Sequence, residues 1–321
     1  MPIRAIAVST YGPLEQLTFV TLPTPSPGRG EVLVRIHASA LNPSDYKVIF
    51  GQAKFLHAGN FPLVAGYDFS GAIESVGSGV VEYKNGDEVF GFLPYSFGNR
   101  QGAFAEMVVA RVGEIAAKPS TVSHLQAAAV ATPGSTALQS LRNLGRIQRG
   151  HSVVVTGVSG GVGSLAIWIA RIFGASVTAV GSGRGLELAR QLGAIATLDR
   201  KTSNPFSSEH GPFDIVFDAA AGYRWKQWKP ALKPGGAYVT TLPSLHFFSD
   251  KFASVFSRTR VALVMVKSRQ SDLQQLGAWL ASGLEVPLDS VIPLKDVASG
   301  LTRLMKGEVT GKVVVKVVDG F

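Results

Sequence analysis

Four glycines, Gly157, Gly160, Gly161 and Gly163, lie between a valine-rich run, Ser152 to Thr156, and a stretch whose apolar residues Val162, Leu165, Ile169 and Ile172 recur at helical spacing. A turn this bare suits a ligand that must come close to the main chain. Gly157 would tighten the turn, Gly160 and Gly161 would let a pyrophosphate reach the backbone, and Gly163 would let helix and strand pack closely. The phosphates would rest on the free N–H groups that open the helix, which makes Ser159, Gly160, Gly161 and Val162 the expected contacts. Packing alone can also place glycine at such a turn, so the flanking pattern has to decide.

About 20 residues past such glycines, a site for NAD offers Asp or Glu to the adenosine ribose diol. Here the chain reads Gly181-Ser182-Gly183-Arg184, and no acidic residue occurs between Val153 and Arg184. Ser182 can donate a hydrogen bond and Arg184 can pair with a 2′-phosphate in fork geometry, whereas a carboxylate would repel it. The expected cofactor is therefore NADPH (NADP+). The alternative for Arg184 is a helix-start arginine that faces water.

The elements around the turn fit this chemistry. From Ser120 onward strand-like runs alternate with helical stretches: Ser152 to Thr156, Ser176 to Val180, Ala196 to Leu198, Asp214 to Phe217, Ala237 to Thr241 and Val261 to Val266, with helices at Gly163 to Ile172 and Leu186 to Leu192. Strands linked by such helices form a mostly parallel sheet covered on both faces, and six is the number a doubly wound dinucleotide fold uses. Residues before about 120 read instead as short β runs broken by Pro, Gly and Asp: RAIAVS, LTFVTLP, EVLVRIHASAL, FSGAIESVG, DEVFGF and FAEMVVA. They predict an all-β or barrel-like domain with a polar, functional loop at Asn42 to Leu63. After Lys267 come a helix near Ser271 to Ser282, the run VIPL, a helix ending at Lys306, and a closing strand, GKVVVKVV, expected to pair back into the first domain's sheet. The expected domains are 1–122 with 267–321, and 123–266.

With 321 residues, 46% of them hydrophobic and 17% charged, the composition is that of an enzyme-like globular protein in two domains. The absence of cysteine excludes disulfides, a thiol nucleophile and thiolate metal sites. No apolar run reaches the roughly 18 residues of a membrane span and no leader pattern opens the chain, so a soluble, cytoplasmic protein is expected, with no membrane partner. The net charge of +9 is spread out, and the densest basic cluster, Lys226 to Lys233, holds three lysines. An anionic cofactor suits that charge better than nucleic acid does.

Ordered blocks through nearly the whole chain resemble the medium-chain dehydrogenase/reductase superfamily, and within it the zinc-independent quinone oxidoreductase branch. They include NPSDYK (Asn42 to Lys47), GYDFSGAIESVGSGV (Gly66 to Val80), GDEVFGF (Gly86 to Phe92), TPGSTALQSL (Thr132 to Leu141), SGGVGSLAIWIAR, DIVFDAA (Asp214 to Ala220), LKPGGAYV (Leu232 to Val239) and GKVVVKV (Gly311 to Val317). The resemblance implies an α/β protein: a discontinuous GroES-like β-barrel catalytic domain around a Rossmann nucleotide-binding domain, with the active site in the cleft between them. Zinc-dependent relatives take ligands from a Cys in the segment matching Asn42 to Asp45 and a His in that matching Gly66 to Asp68; this chain has Tyr67 there and lacks cysteine, so no metal is expected.

Without a Lewis acid, the implied reaction is hydride transfer to an acceptor that is already electron-poor, a small apolar quinone or α,β-unsaturated carbonyl. Asn42 would bond the nicotinamide ribose or the substrate carbonyl, and Tyr46 or Lys47 would donate a proton, with water as the alternative donor. The family's tyrosine often stands one place later than Tyr46, where this chain has Lys47. Thr136 and the segment Thr241-Leu242-Pro243 match positions beside the nicotinamide, and Arg200 follows the third strand where the family often has a Tyr. Tyr95 and Phe97 would suit a flat acceptor. Family members pair the strand matching Val261 to Val266 with its twin, which implies a homodimer. A metal-free carbonyl reductase or alcohol dehydrogenase, and a non-catalytic NADPH-binding protein, stay open as alternatives.

Overall fold

The computed structural model describes residues 2–52, 61–94, 102–242 and 245–317. The chain begins with β1 (Ile3–Val8), β2 (Thr18–Leu22) and the long β3 (Glu31–Ala40). There follows a helix the sequence pattern did not show, α1 (Pro43–Ile49), inside the segment read as a polar loop. At seven residues it is too short to display a period, and it forms through its start: Pro43 opens the first turn, and the Asp45 carboxylate accepts the Asn42 backbone N–H at 2.7 Å. Next come β4 (Leu63–Val64), β5 (Asp68–Val76), β6 (Glu88–Phe92), β7 (Met107–Arg111), β8 (Ile115–Ala117) and α2 (His124–Leu138).

The middle of the chain alternates as expected: β9 (Ser152–Thr156), α3 (Gly161–Ile172), β10 (Ser176–Gly181), α4 (Arg184–Gln191), β11 (Ala196–Asp199), β12 (Phe213–Asp218), the one-turn α5 (Trp225–Trp228), β13 (Leu232–Thr240), α6 (Phe247–Val255) and β14 (Arg260–Leu263). The six strands are all parallel, in the order β11-β10-β9-β12-β13-β14. The order reverses between β9 and β12, and that crevice is where doubly wound sheets bind their ligands. β14 ends at Leu263, three residues before the apolar run does, although Val264 still donates to the Thr240 carbonyl at 2.9 Å.

The chain then returns through α7 (Gln270–Ala281), β15 (Leu288–Pro293), α8 (Val297–Met305) and β16 (Lys312–Lys316). β16 pairs antiparallel with β3 at Ala38 to Ala40, so the closing strand completes the first sheet. That sheet runs β15-β16-β3-β5-β6-β8, with β7 also on β3; β1 lies between β2 and β4 in a second sheet. One core joins them, with Ile6, Val34, Ile36, Phe69, Phe104 and Val315 all buried. The second core packs Trp225 and Trp228 against Val154, Val216 and Tyr238.

Contacts divide the chain into Met1–Thr132 with Lys267–Phe321, and Pro133–Val266. The division falls inside α2, at Pro133, some ten residues beyond the position read from the strand pattern. Proline lacks an N–H and leaves a carbonyl in the preceding turn unpaired, so one continuous helix serves two units at its weakest link.

Candidate active site

In the second unit the glycine turn joins β9 to α3. Gly157 has φ +66°, and a Cβ there would meet Ala220 at 2.9 Å, so both conformation and space demand glycine. At Gly163 a Cβ would lie 2.4 Å from the Gly157 carbonyl oxygen, which makes it the close-packing glycine between helix and strand. Position 160 differs: its Cβ would meet nothing nearer than the Gly157 oxygen at 3.6 Å. Gly160 caps α3, and Gly161 and Val162 form its first turn, with their N–H groups among those a helix leaves unpaired at its start. Ser159 precedes them, half-buried. Open space in front of unpaired N–H donors fits a pyrophosphate.

Ser182, Arg184, Arg200 and Thr241 lie at the same, carboxyl end of this sheet. Ser182 and Arg184 follow β10, with Arg184 the first residue of α4 and exposed. Arg200 follows β11, exposed, its N–H bonded to the Gly181 carbonyl at 2.9 Å, which ties the two strand ends together. Thr241 follows β13 and donates to the Ala219 carbonyl at 3.3 Å; Thr136 is buried on α2. Pro243, Tyr95 and Phe97 lie outside the described residues. At the crevice itself stands a residue the sequence reading passed over, Asp218, at the end of β12. It is fully buried and accepts from Thr156 Oγ1 at 2.6 Å, Tyr238 Oη at 2.8 Å and the Tyr223 N–H at 2.9 Å. Burial, with the Asp218 carboxylate beside it, pushes the Tyr238 phenol well above its ordinary value.

In the first unit, α1 carries Asn42, Tyr46 and Lys47 over a buried polar cluster. Asn42 does not face open space. Its Oδ1 accepts from Lys312 Nζ at 2.8 Å, and its Nδ2 donates to Asp68 Oδ2 at 2.8 Å and to the Ala40 carbonyl at 3.4 Å. Asp68 takes a further bond from the Thr132 N–H at 2.8 Å and lies 3.4 Å from Lys312 Nζ, which also donates to the Leu41 carbonyl at 2.7 Å. The amide is thus spent on holding α1 to β5 and β16, and any part Asn42 has in a reaction runs through where it fixes that helix.

Two carboxyls share one ammonium here. Burial raises Asp68, while Lys312 and the Thr132 and Asn42 donors draw it down; burial lowers Lys312 and the two aspartates hold it up. Asp45 is pushed up to about 8, chiefly by burial and also by Asp68, and its Oδ1 has no hydrogen-bond partner among the described residues. Burial thus favours the neutral acid at Asp45, beside an Asp68–Lys312 pair. Tyr46 and Lys47 sit above it, both half-buried. The Tyr46 ring lies 6.0 Å from that of Phe50 and packs on the core. Burial raises the Tyr46 phenol and lowers the Lys47 ammonium, so it weakens one as an acid and strengthens the other.

Residues 28–120 match the family model for the alcohol dehydrogenase GroES-like domain, and residues 192–315 that for a zinc-binding dehydrogenase. The chain is 30% identical to a chloroplastic quinone-oxidoreductase homolog of Spinacia oleracea, over 98% of both chains. The chain belongs to the quinone-oxidoreductase-like branch of the medium-chain dehydrogenase/reductase superfamily. A 2-methylene-furan-3-one reductase of Solanum lycopersicum is 33% identical, over 98% of this chain and 79% of that one. The solved quinone oxidoreductase of Coxiella burnetii superposes with a TM-score of 0.90 at 30% identity, over 99% of this chain and 100% of that one. Membership makes the chain an oxidoreductase, and the fold implies a nicotinamide nucleotide, which the turn after β9 fits. One of the matching models carries zinc in its description. This reductase-like chain has no cysteine, and among its described residues no three His, Cys, Asp or Glu side chains are grouped to hold a metal ion. No helix among those residues is long and apolar enough to cross a membrane.

Proposed function

We propose that the protein is an NADPH-dependent reductase of quinones or α,β-unsaturated carbonyls that works without a metal ion. The observation that carries the cofactor choice is the carboxyl end of β10, where Ser182 and Arg184 stand and Arg200 is tied in beside them by its main chain. A serine and an arginine after β10, with no carboxylate at that strand's end, favour a 2′-phosphate over a free ribose diol. Bound there, the reduced nicotinamide supplies a hydride. The chain's own residues hold the pyrophosphate on the N–H groups of α3, and Thr136 and Thr241 border the nicotinamide.

For the acceptor, support comes from the names of the spinach, tomato and Coxiella relatives, and from residue chemistry. A conjugated carbonyl spreads the incoming charge onto its own oxygen, so no Lewis acid is needed. An enone then needs a proton, and Lys47 is the stronger candidate donor: its half-buried ammonium forms no ion pair among the described residues, and burial makes it more acidic. Burial makes the Tyr46 phenol the weaker acid of the two. Steady-state turnover of a panel of quinones, enones and simple aldehydes with NADPH tests this reading; turnover of the conjugated acceptors alone supports it, and turnover only of unconjugated carbonyls overturns it.

The sequence reading places the enzyme in the cytoplasm, whereas the spinach relative is named as chloroplastic; fractionation distinguishes the two. The homodimer belongs to the same proposal. Among the described residues β14 pairs with β13 alone, and because Val264 donates toward β13, Leu263 points its N–H at the other edge. Leu263→Pro should convert a dimer to a monomer in light scattering; wild-type protein that is already monomeric refutes the dimer.

A further inference from the structure

The loop that follows β12 lies against the glycine turn. A Cβ at Gly157 would meet the main-chain nitrogen and the Cβ of Ala220, each at 2.9 Å, and Ala221 beside it holds φ +51°, a left-handed conformation that is strained for alanine. Asp218 holds the loop there. Its Oδ2 accepts from the Tyr223 N–H at 2.9 Å and from Tyr238 Oη at 2.8 Å, while its Oδ1 accepts from Thr156 Oγ1 at 2.6 Å and from the Gly222 N–H at 3.4 Å. Its own carbonyl takes the Ala221 N–H at 3.3 Å. One side chain thus ties the end of β9, where the glycine turn starts, to the far end of the loop and to β13.

Charge sets this carboxylate apart from its neighbours. Asp214 and Asp250 of the same unit each pair with a cation, Lys233 at 2.8 Å and Arg224 at 3.0 Å. Asp218 is fully buried and, among the described residues, forms no ion pair. All four groups that face its oxygens are donors, which suits the ionised form, and the Tyr238 phenol, raised well above its ordinary value, keeps its own proton. A buried charge answered only by neutral donors is costly, and this one stands at the crevice where the strand order reverses. The course of the nucleotide brings a cation to it. With the pyrophosphate on the start of α3 and the adenosine ribose at the end of β10, on one side of β9, the nicotinamide extends to the other side, toward β12 and β13. There the oxidised ring carries a positive charge, and the reduced ring carries none.

We propose that Asp218 is a positioning residue of the nucleotide site whose charge favours the oxidised, cationic nicotinamide over the reduced one without touching the ring. The same carboxylate then favours release of a hydride, which leaves the ring cationic. This rests on a nicotinamide nucleotide lying on the turn after β9, and not on whether it is NADPH or NADH. The test is calorimetric titration of the parent, Asp218→Asn and Tyr238→Phe proteins with the oxidised and reduced forms of whichever nucleotide the parent binds more tightly. Asp218→Asn keeps the shape and removes the charge, so the ratio of oxidised to reduced affinity should fall about threefold to tenfold. Tyr238→Phe keeps the charge and removes one of its donors, so both forms should weaken alike, with the ratio within about twofold of the parent's. Asp218→Asn is also made in the Tyr238→Phe background, where fewer donors are left unanswered, so that the charge can be removed from a protein that folds; the ratio should fall there by the same factor. An unchanged ratio on removal of the charge, or a ratio that falls as far in Tyr238→Phe alone, overturns the proposal. A parent that binds neither nucleotide overturns it together with the site on which it rests.

Discussion

At the start of α3 the polar groups that matter belong to the main chain and stand open, in front of a glycine with empty space above it. Beneath α1 they belong to side chains of residues 42, 45, 68 and 312, and nearly all of them are spent on one another. The first region is built to receive charge. The second has already received it, and its work is to hold a short helix and its two exposed-end residues, Tyr46 and Lys47, in one place. Binding and positioning thus call for opposite treatment of polar groups: donors left vacant in one unit, donors saturated in the other.

The largest effect expected from this contrast is on folding. Lys312→Met should leave the buried Asp68 carboxylate without its cation and cost about 3–5 kcal/mol in urea unfolding. Adding Asp68→Asn should recover part of the loss, because the uncompensated charge is then gone. If Lys312→Met unfolds like the parent, the cluster is not what anchors β16 and α1.

Next in size is catalysis above the cluster. Lys47→Met should lower enone turnover by about 10²-fold, the lower range for general acid catalysis, and leave quinone turnover nearly intact because solvent can protonate a reduced quinone. Tyr46→Phe should change both little. The donor must be protonated to act, and the Lys47 ammonium is depressed below its ordinary 10.5. Enone turnover should therefore fall with rising pH before that value is reached, and the Lys47→Met protein should lack that limb. An enone rate lost in Tyr46→Phe and kept in Lys47→Met would reverse the assignment.

Within the nucleotide turn itself, two glycines should separate space for packing from space for ligand. Gly163→Ala places a Cβ 2.4 Å from a main-chain oxygen and should cost about 1–3 kcal/mol of stability. Gly160→Ala has room, and its stability should stay within about 0.5 kcal/mol of the parent while nucleotide affinity falls about tenfold. Equal stability and equal affinity for the two variants would mean that the vacancy over Gly160 has no bearing on the ligand.

What the sequence made legible follows the same division. The parallel sheet, its six strands and the glycine turn all rest on local spacing, and Gly157, Gly160 and Gly163 could be read in one window because the groups they serve are on the adjoining backbone. The cluster under α1 could not be read so, since Asn42 meets Asp68 and Lys312 only after β3, β5 and β16 pair, across separations of 26 and 270 residues. Asp68 and Lys312 lay inside the blocks GYDFSG and GKVVVKV, and the signal that would have found them is a charged residue within an otherwise apolar strand. Asp218 was missed for the same reason, standing at the end of IVFD. The helix α1 escaped because two turns carry too few apolar residues to show a period, although its Pro43 and Asp45 were visible starting signals.

Ser182 and Arg184 at the end of β10, where no carboxylate stands, are the basis for assigning NADPH, and calorimetric titration of the purified protein with NADPH and NADH tests that assignment most directly. NADPH should bind more tightly, and Arg184→Ala should weaken NADPH by about 1–3 kcal/mol while leaving NADH almost unchanged. Equal dissociation constants for the two nucleotides in the parent protein, or an Arg184→Ala change that weakens both alike, would contradict it.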